Sequence, residues 1–356
     1  MMKNCILEDL QNKVKIAWQS IPDFEECILL DTPEHTDNIG SMALLFATVY
    51  AVSEIKKARI LYSASKSNCF WEKIHSFPKT TPVIIRGGNL GNFFWKLPSG
   101  AGSRKQCQFI ANIIQRCQER RIILIPQTVY FDNEKDSENL ARAIHAHPEI
   151  NLMVREKESL STATRLFPNC KIILSPDIVF LLHSLIQIPD KRISHQKILY
   201  LKRQDWENPW KDMMQKLSVT TSDWIKNRYI QRLSFDSLKL EYAITKIVES
   251  FLPKNKSYLC LDSLQEKQIF RYNMSKFYIN RLALQRINHG IHQTLQYSLI
   301  LTNRLHGHIF STLLGIPNIA LPSPYDKIQS CYDSWTQEIP YCKLALSPEN
   351  LLEFLR

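Results

Sequence analysis

Arg304, His306 and His308 lie within a five-residue span of the stretch LTNRLHGHIFSTLLG, Leu301 to Gly315. A guanidinium offers a rigid fork to a carboxylate or phosphate, and an imidazole exchanges a proton near neutral pH. The preceding YSLILTN reads as a buried strand, and GHIFSTLLG reads as a short helix closed by Gly315 and Pro317. The cationic residues therefore fall at the carboxyl end of a strand. In open parallel α/β sheets that edge binds ligands, and the helix amides facing it favour anions. A lone histidine is more often a satisfied core or surface residue, but Arg304 and His306 together, flanked by Asn303 and His308, favour a site.

Other polar clusters fall where strands are expected to end. DTPEHTDNIGSMALL follows ECILLD, and its Asn38, Gly40 and Ser41 lead into a helix whose free amides can meet an anion or a sugar hydroxyl. Asn38 or Ser41 as a plain helix cap, with Gly40 easing the turn, is an equally good reading. RGGNLGNFF follows PVIIR, and Gly87, Gly88 and Gly91 let backbone amides approach a ligand closely. Its G-G-x-x-G spacing is not a dinucleotide fingerprint. Arg155, directly after INLMV, is either an anion fork or a solvated residue opening the next helix. Lys327, in PSPYDKI after the last long strand, can reach the same edge.

The elements that must position these residues alternate as in a doubly wound sheet. ECILLD, ARILYS, PVIIRGG, RIILIPQ, INLMVRE and KIILSPD are short apolar runs, separated by helical patterns such as MALLFATVYAVSEIKK, KQCQFIANIIQRCQER and SENLARAIHA. The rhythm implies right-handed crossovers and a mostly parallel sheet. It restarts at KILYLKRQD and continues through KLSVTTSD, SYLCLDS, YSLILTN and IPNIALP. We therefore expect two doubly wound Rossmann-like α/β domains facing a cleft, an architecture called GT-B-like. The expected boundaries are residues 1–188 and 189–356, with a linker near Ile188 to His195 and a terminal helix capped by Ser347 with Pro348 at its first position.

Size and composition narrow the class. A chain of 356 residues can bury full cores without disulfides, and nine cysteines with no Cys-x-x-Cys pair fit reduced thiols rather than a zinc site. No Asp-x-Asp pair is present to hold a divalent metal, so no metal and no cofactor are expected. No uncharged apolar run approaches the roughly 20 residues a spanning helix needs, and MALLFATVYAV is the nearest. A cytoplasmic protein is expected, at most peripheral at the inner face of the membrane. Net charge is +11, and Asp190 to Arg286 alone carries 19 Lys/Arg against 10 Asp/Glu. Such a field suits nucleic acid, anionic lipid or phosphorylated substrates. A basic nucleic-acid-binding protein is a weak alternative, because no recognised module or aromatic stacking motif accompanies the charge.

Taken together, DNIGS, GGNLGN, IPQTV, VREKES, SPDIVF and TNRLHGHIFSTLLGIP resemble the polysaccharide pyruvyl transferase family, in the same order and across roughly Asp37 to Lys327. RLHGHI is the most specific of these elements. The resemblance implies a GT-B-like enzyme that moves the enolpyruvyl group of phosphoenolpyruvate onto hydroxyls of a galactose- or mannose-type sugar. The acceptor would be a surface-polysaccharide or lipid-linked oligosaccharide precursor, and the product a pyruvate ketal. It implies His306 as acid/base, Arg304 and Arg155 as anion-binding catalytic residues, and Lys327 near the phosphate. Asn38, Gly40, Gly88, Asn89, Gly91 and Leu305 would line the substrate. Where the family generally carries acidic residues, this chain has Ser41 and Asn92. Phosphoenolpyruvate and a glycan are thus the expected partners, with no nucleic acid expected and contact with an anionic membrane allowed. The rival within the same architecture is a glycosyltransferase using a nucleotide sugar.

Overall fold

The computed structural model describes residues 2–33, 38–66, 69–91, 101–186, 197–202, 219–222, 274–323 and 326–355. The expected linker Ile188 to His195, the strand SYLCLDS, Asn92 and most of the basic stretch from Asp190 to Arg286 lie outside them.

Two parallel sheets dominate the described residues. The first contains β1 (Glu26–Leu30), β2 (Arg59–Ala64), β3 (Val83–Ile85), β4 (Asn89–Gly91), β5 (Ile122–Tyr130), β6 (Ile150–Val154) and β7 (Lys171–Leu174). Its order is β2-β1-β3-β5-β6-β7, with β4 pairing the far end of β5. The second contains β8 (Ile198–Leu201), β9 (Thr220–Ser222), β10 (Leu299–Thr302), β11 (Asn318–Ala320) and β12 (Cys342–Leu344), ordered β12-β11-β10-β8-β9. Every pairing is parallel. Both orders reverse direction once, between β1 and β3 and between β8 and β10. Those reversals open the crevices where α/β sheets take ligands.

The helices follow from apolar periodicity and end signals. They are α1 (Met2–Gln19), α2 (Ile39–Tyr50), α3 (Trp71–His75), α4 (Ala101–Arg116), α5 (Glu138–His145), α6 (Lys157–Leu166), α7 (Met274–Leu295), α8 (Leu305–Leu313), α9 (Lys327–Cys331) and α10 (Pro348–Leu355). A 3₁₀ segment, Ile178–Leu185, follows β7. In α10 the Asn350 amide donates to Ser347 Oγ at 3.2 Å, as the capping pattern predicts. The expected glycine loop after β3 is partly a strand: Gly91 lies so close to β5 that a Cβ would sit 2.7 Å from the Tyr130 carbonyl carbon.

Strand alternation sends side chains to two faces. Ile28 and Leu30 of β1 join the core under α4, α5 and α6, whereas Cys27 and Leu29 join a larger cluster on the opposite face. That larger cluster is continuous across the molecule: Leu7, Phe46 and Ile84 belong to it, and so do Leu201, Ile287 and Ile309 of the second half. Helix α7 lies on α2, where a Cβ at Gly290 would meet Ile39 at 3.0 Å. Among the described residues no helix is long and apolar enough to cross a membrane.

Candidate active site

Arg155 follows β6, and its side chain is buried at 4% exposure. Its Nε donates to Thr128 Oγ1 at 2.8 Å and to Glu156 Oε1 at 2.9 Å, its Nη1 to Asp177 Oδ2 at 2.7 Å, and its Nη2 to Asn89 Oδ1 at 3.2 Å. The sequence offered Arg155 as an open anion fork or as a solvated residue opening the next helix, and its burial overturns the second reading. The structure instead commits it to four side-chain oxygens, two of them on carboxylates, because the start of β4, Thr128 of β5 and the residues following β6 and β7 meet around it. A guanidinium has five N–H groups, so at most one hydrogen on each terminal nitrogen is left for a ligand.

Asp177 ties the two halves of the chain together. It caps the 3₁₀ segment, accepting from the Val179 amide at 3.0 Å, and its Oδ2 receives Arg155. The same oxygen lies 3.6 Å from Nε2 of His306, in the first turn of α8. Burial alone would raise the Asp177 carboxyl, but the His306 imidazole and then Arg155 outweigh it and hold it down at about 2. At Glu156 burial wins and the carboxyl is raised, even though Arg155, Thr128 and Ser159 bond it. Cys331, near this cluster, is raised well above a usual thiol by burial and then by Glu156 and Asp177, which makes it a poor nucleophile.

His306 is more exposed than Arg155 and Asp177, with a side-chain exposure of 18%, and its Nε2 has no hydrogen bond within 3.5 Å. Its ring rests on Gly40 at the start of α2: a Cβ there would sit 2.7 Å from the imidazole Cγ. Gly40 therefore makes room for a histidine. Asn38 uses its side chain as the α2 cap, accepting from the Ser41 amide at 3.3 Å. Arg304, 8% exposed, precedes α8, and its Nε donates to the Lys202 carbonyl at 3.1 Å. Lys327 opens α9 beside α8 and is buried. Leu305 points into the continuous apolar cluster, so only its backbone can serve a ligand.

The structure thus gathers Arg155, Asn89, Gly40 and His306 around Asp177. Gly88 is in contact with Leu44, Gly91 is explained by the close approach to β5, and Asn38 acts as a cap. Sequence reasoning assigned no role to Asp177, Glu156, Thr128 or Trp335, whose Nε1 donates to the Arg155 carbonyl at 2.7 Å. The strand-end rule that found Arg155 could have found Asp177, since KIILSPD also carries a charge just after an apolar run.

His308 has a different fate from His306. It is fully buried, with Nδ1 2.6 Å from Asn318 Oδ1 and Nε2 2.8 Å from Thr336 Oγ1. Because Asn318 Nδ2 donates to the Ile316 carbonyl, its Oδ1 accepts and His308 carries the proton on Nδ1. Burial lowers this imidazole to about 4, against the opposing bond to Asn318. It is a neutral core residue.

Comparison with known proteins supplies the family. A family model described as polysaccharide pyruvyl transferase matches residues 38–324. EpsO of Bacillus subtilis (strain 168), named with a provisional pyruvyl transferase assignment, is 25% identical over 277 residues, 77% of this chain and 76% of its own. Pyruvyl transferase 1 of Schizosaccharomyces pombe is 25% identical over 315 residues, 86% of this chain and 69% of its own. A crystal structure of a functionally uncharacterized Klebsiella pneumoniae protein aligns over 95% of this chain and 99% of its own, with TM-score 0.56 at 17% identity. That last likeness is one of fold.

Proposed function

The chain belongs to the polysaccharide pyruvyl transferase family, and from that premise we propose that it transfers the enolpyruvyl group of phosphoenolpyruvate to two hydroxyls of a sugar, forming a pyruvate ketal. The acceptor is a galactose- or mannose-type residue of a surface-polysaccharide or lipid-linked oligosaccharide precursor. The donor lies between the two halves of the chain, in a GT-B-like arrangement. The basic stretch from Asp190 to Arg286 attracts the anionic headgroups beside a lipid-linked acceptor, by about 1 kcal/mol per well-placed basic residue.

The observation carrying this reading is the contact of His306 Nε2 with Asp177 Oδ2 at 3.6 Å, on the oxygen that also receives Arg155. The reaction needs a proton at C3 of the donor, two new C2–O bonds and loss of the C2–O–P bond. One hydroxyl proton ends in the new methyl group and the other leaves with phosphate. His306 can hold and deliver that proton, and Asp177 orients its ring. Catalytic hydrogen bonds are often long before substrate arrives, so 3.6 Å suits an imidazole that tightens on binding. Arg155 acts as a positioning residue that holds Asp177 in place. Arg304, with Lys327 beside α8, supplies positive charge to the donor.

The test follows phosphate release from phosphoenolpyruvate with candidate acceptor glycans, together with thermal unfolding. Phosphoenolpyruvate at about 100 times its dissociation constant is expected to stabilise the fold by roughly 3 kcal/mol. His306→Ala should cut turnover by about 10²–10⁴-fold while that stabilisation persists, whereas Arg304→Ala should weaken donor binding itself. A protein stabilised by nucleotide sugars and indifferent to phosphoenolpyruvate would instead be a glycosyltransferase.

A further inference from the structure

The two sheets carry the same device at their switch points. After β10, Arg304 Nε donates to the carbonyl of Lys202, the residue that follows neighbouring β8, at 3.1 Å. After β3, Arg86 Nε donates to the carbonyl of Asp31, the residue that follows neighbouring β1, at 2.7 Å. The registers Thr302 with Leu201 and Ile85 with Leu30 set the two arginines at matching edges. Each guanidinium is thereby fixed at the crevice where its sheet reverses order.

The charge balance differs between the arginines of the first half. Arg155 sits against two carboxylates and is neutralised by them. Arg86, 9% exposed, hydrogen-bonds backbone carbonyls: Asp31 O, and Ser41 O through Nη1 at 3.4 Å. The Asp31 carboxylate is engaged by Gln106 Nε2 at 2.6 Å rather than by the Arg86 guanidinium; burial raises it and Arg86 lowers it. Arg86 is thus a buried cation with incomplete compensation, a state that favours an incoming anion.

A second, independent observation lies against Gly87, the residue after Arg86. Gln127 is 0% exposed, and neither Oε1 nor Nε2 has a hydrogen-bond partner. Its amide is pressed against Gly87, where a Cβ would sit 2.6 Å from the amide carbon. Gln127 also leads directly into the cluster described above, since its carbonyl accepts from the Arg155 amide at 3.1 Å. An unpaired buried amide destabilises a fold, and a methionine of similar length would remove that cost.

We propose that Arg86 and Gln127 form an oxyanion-binding subsite at the switch point of the first sheet, taking one anionic group of the donor while Arg304 takes the other. The identity of the donor rests on the function proposed above. The Gln127 amide, packed against Gly87 next to Arg86 in the chain, gives an N–H to the ligand oxygen. Gly87 and Gly88, at φ +49° and +133°, form a turn without side chains. A small shift of that turn brings the amide within reach.

Calorimetric titration of the full chain with phosphoenolpyruvate, and separately with inorganic phosphate and with pyruvate, tests this beside thermal unfolding. Gln127→Met should unfold at a higher temperature than the wild type yet bind phosphoenolpyruvate roughly tenfold to a hundredfold more weakly. Arg86→Met, where folded, should weaken binding at least as much. Loss of the phosphate response assigns the subsite to the phosphate group, and loss of the pyruvate response to the carboxylate. Wild-type affinity in Gln127→Met, or a lower unfolding temperature, overturns the proposal. If wild type ignores phosphoenolpyruvate, the functional reading fails by itself. The subsite then stands if wild type binds inorganic phosphate or pyruvate and Gln127→Met loses that response, and falls otherwise.

Discussion

His306 and His308 show how little residue type says without surroundings. They are two positions apart on one helix turn, yet one imidazole meets a carboxylate at a partly open edge and the other is locked between Asn318 and Thr336. His308 carries a pH consequence. Its unfolded value near 6.5 falls to about 4 in the fold, so between those values the unfolded chain holds a proton that the native protein refuses. Stability is therefore intact above pH 6.5 and lost as pH falls toward 4, by about 3 kcal/mol over the window. Urea unfolding at pH 7, 5.5 and 4.5 should trace that slope, and His308→Leu should flatten it. An unchanged slope in the variant would assign the loss to other groups. At this scale the sequence pointed to His306, Arg304 and Arg155 through one rule, a charge after an apolar strand. It did not reveal that Arg155 is neutralised by its neighbour Glu156 and by Asp177, 22 positions away, because spacing carries no information about which carboxylates a fold brings together.

Among the elements, α2 has two duties. Asn38 caps it, and Gly40 in its first turn leaves room for the His306 ring. Alanine at position 40 would add about 1 kcal/mol of helix propensity, yet its Cβ would overlap the imidazole along its Cγ and Nδ1 edge. Gly40→Ala should thus lower turnover at least about tenfold through displacement of the acid/base, with a melting temperature near that of the wild type. In the His306→Ala background the same substitution should become purely stabilising, which thermal unfolding of the double variant checks. Most strands were legible, since β1, β2, β5, β6 and β7 are β-branched or aliphatic runs whose period is short. Helix α1 went unread although Leu7, Leu10, Val14, Ala17 and Trp18 recur at helical spacing, and β4 was hidden because NLG reads as turn chemistry until β5 pairs with it. Tertiary pairing overrode the local preference.

At the scale of the whole molecule, the repeated rhythm predicted two α/β units, and both sheets have the parallel, once-reversed order that rhythm implies. The sequence did not show that one apolar cluster would run through both. Surfaces that share a core unfold together. Scanning calorimetry should accordingly give a single cooperative transition, and Trp335→Phe, which deletes the bond to the Arg155 carbonyl, should lower that whole transition by about 1 kcal/mol in stability. Two separated transitions, with only the later one moved, would mean that the sheets melt independently.

That shared cluster also limits how a substrate enters. Swinging the sheets apart would wet Ile39, Ile287 and their neighbours, a penalty proportional to the oil-like area uncovered. Admission and exit therefore fall to small rearrangements at the strand tips, and turnover should tolerate a stiffened seam better than stiffened glycine turns.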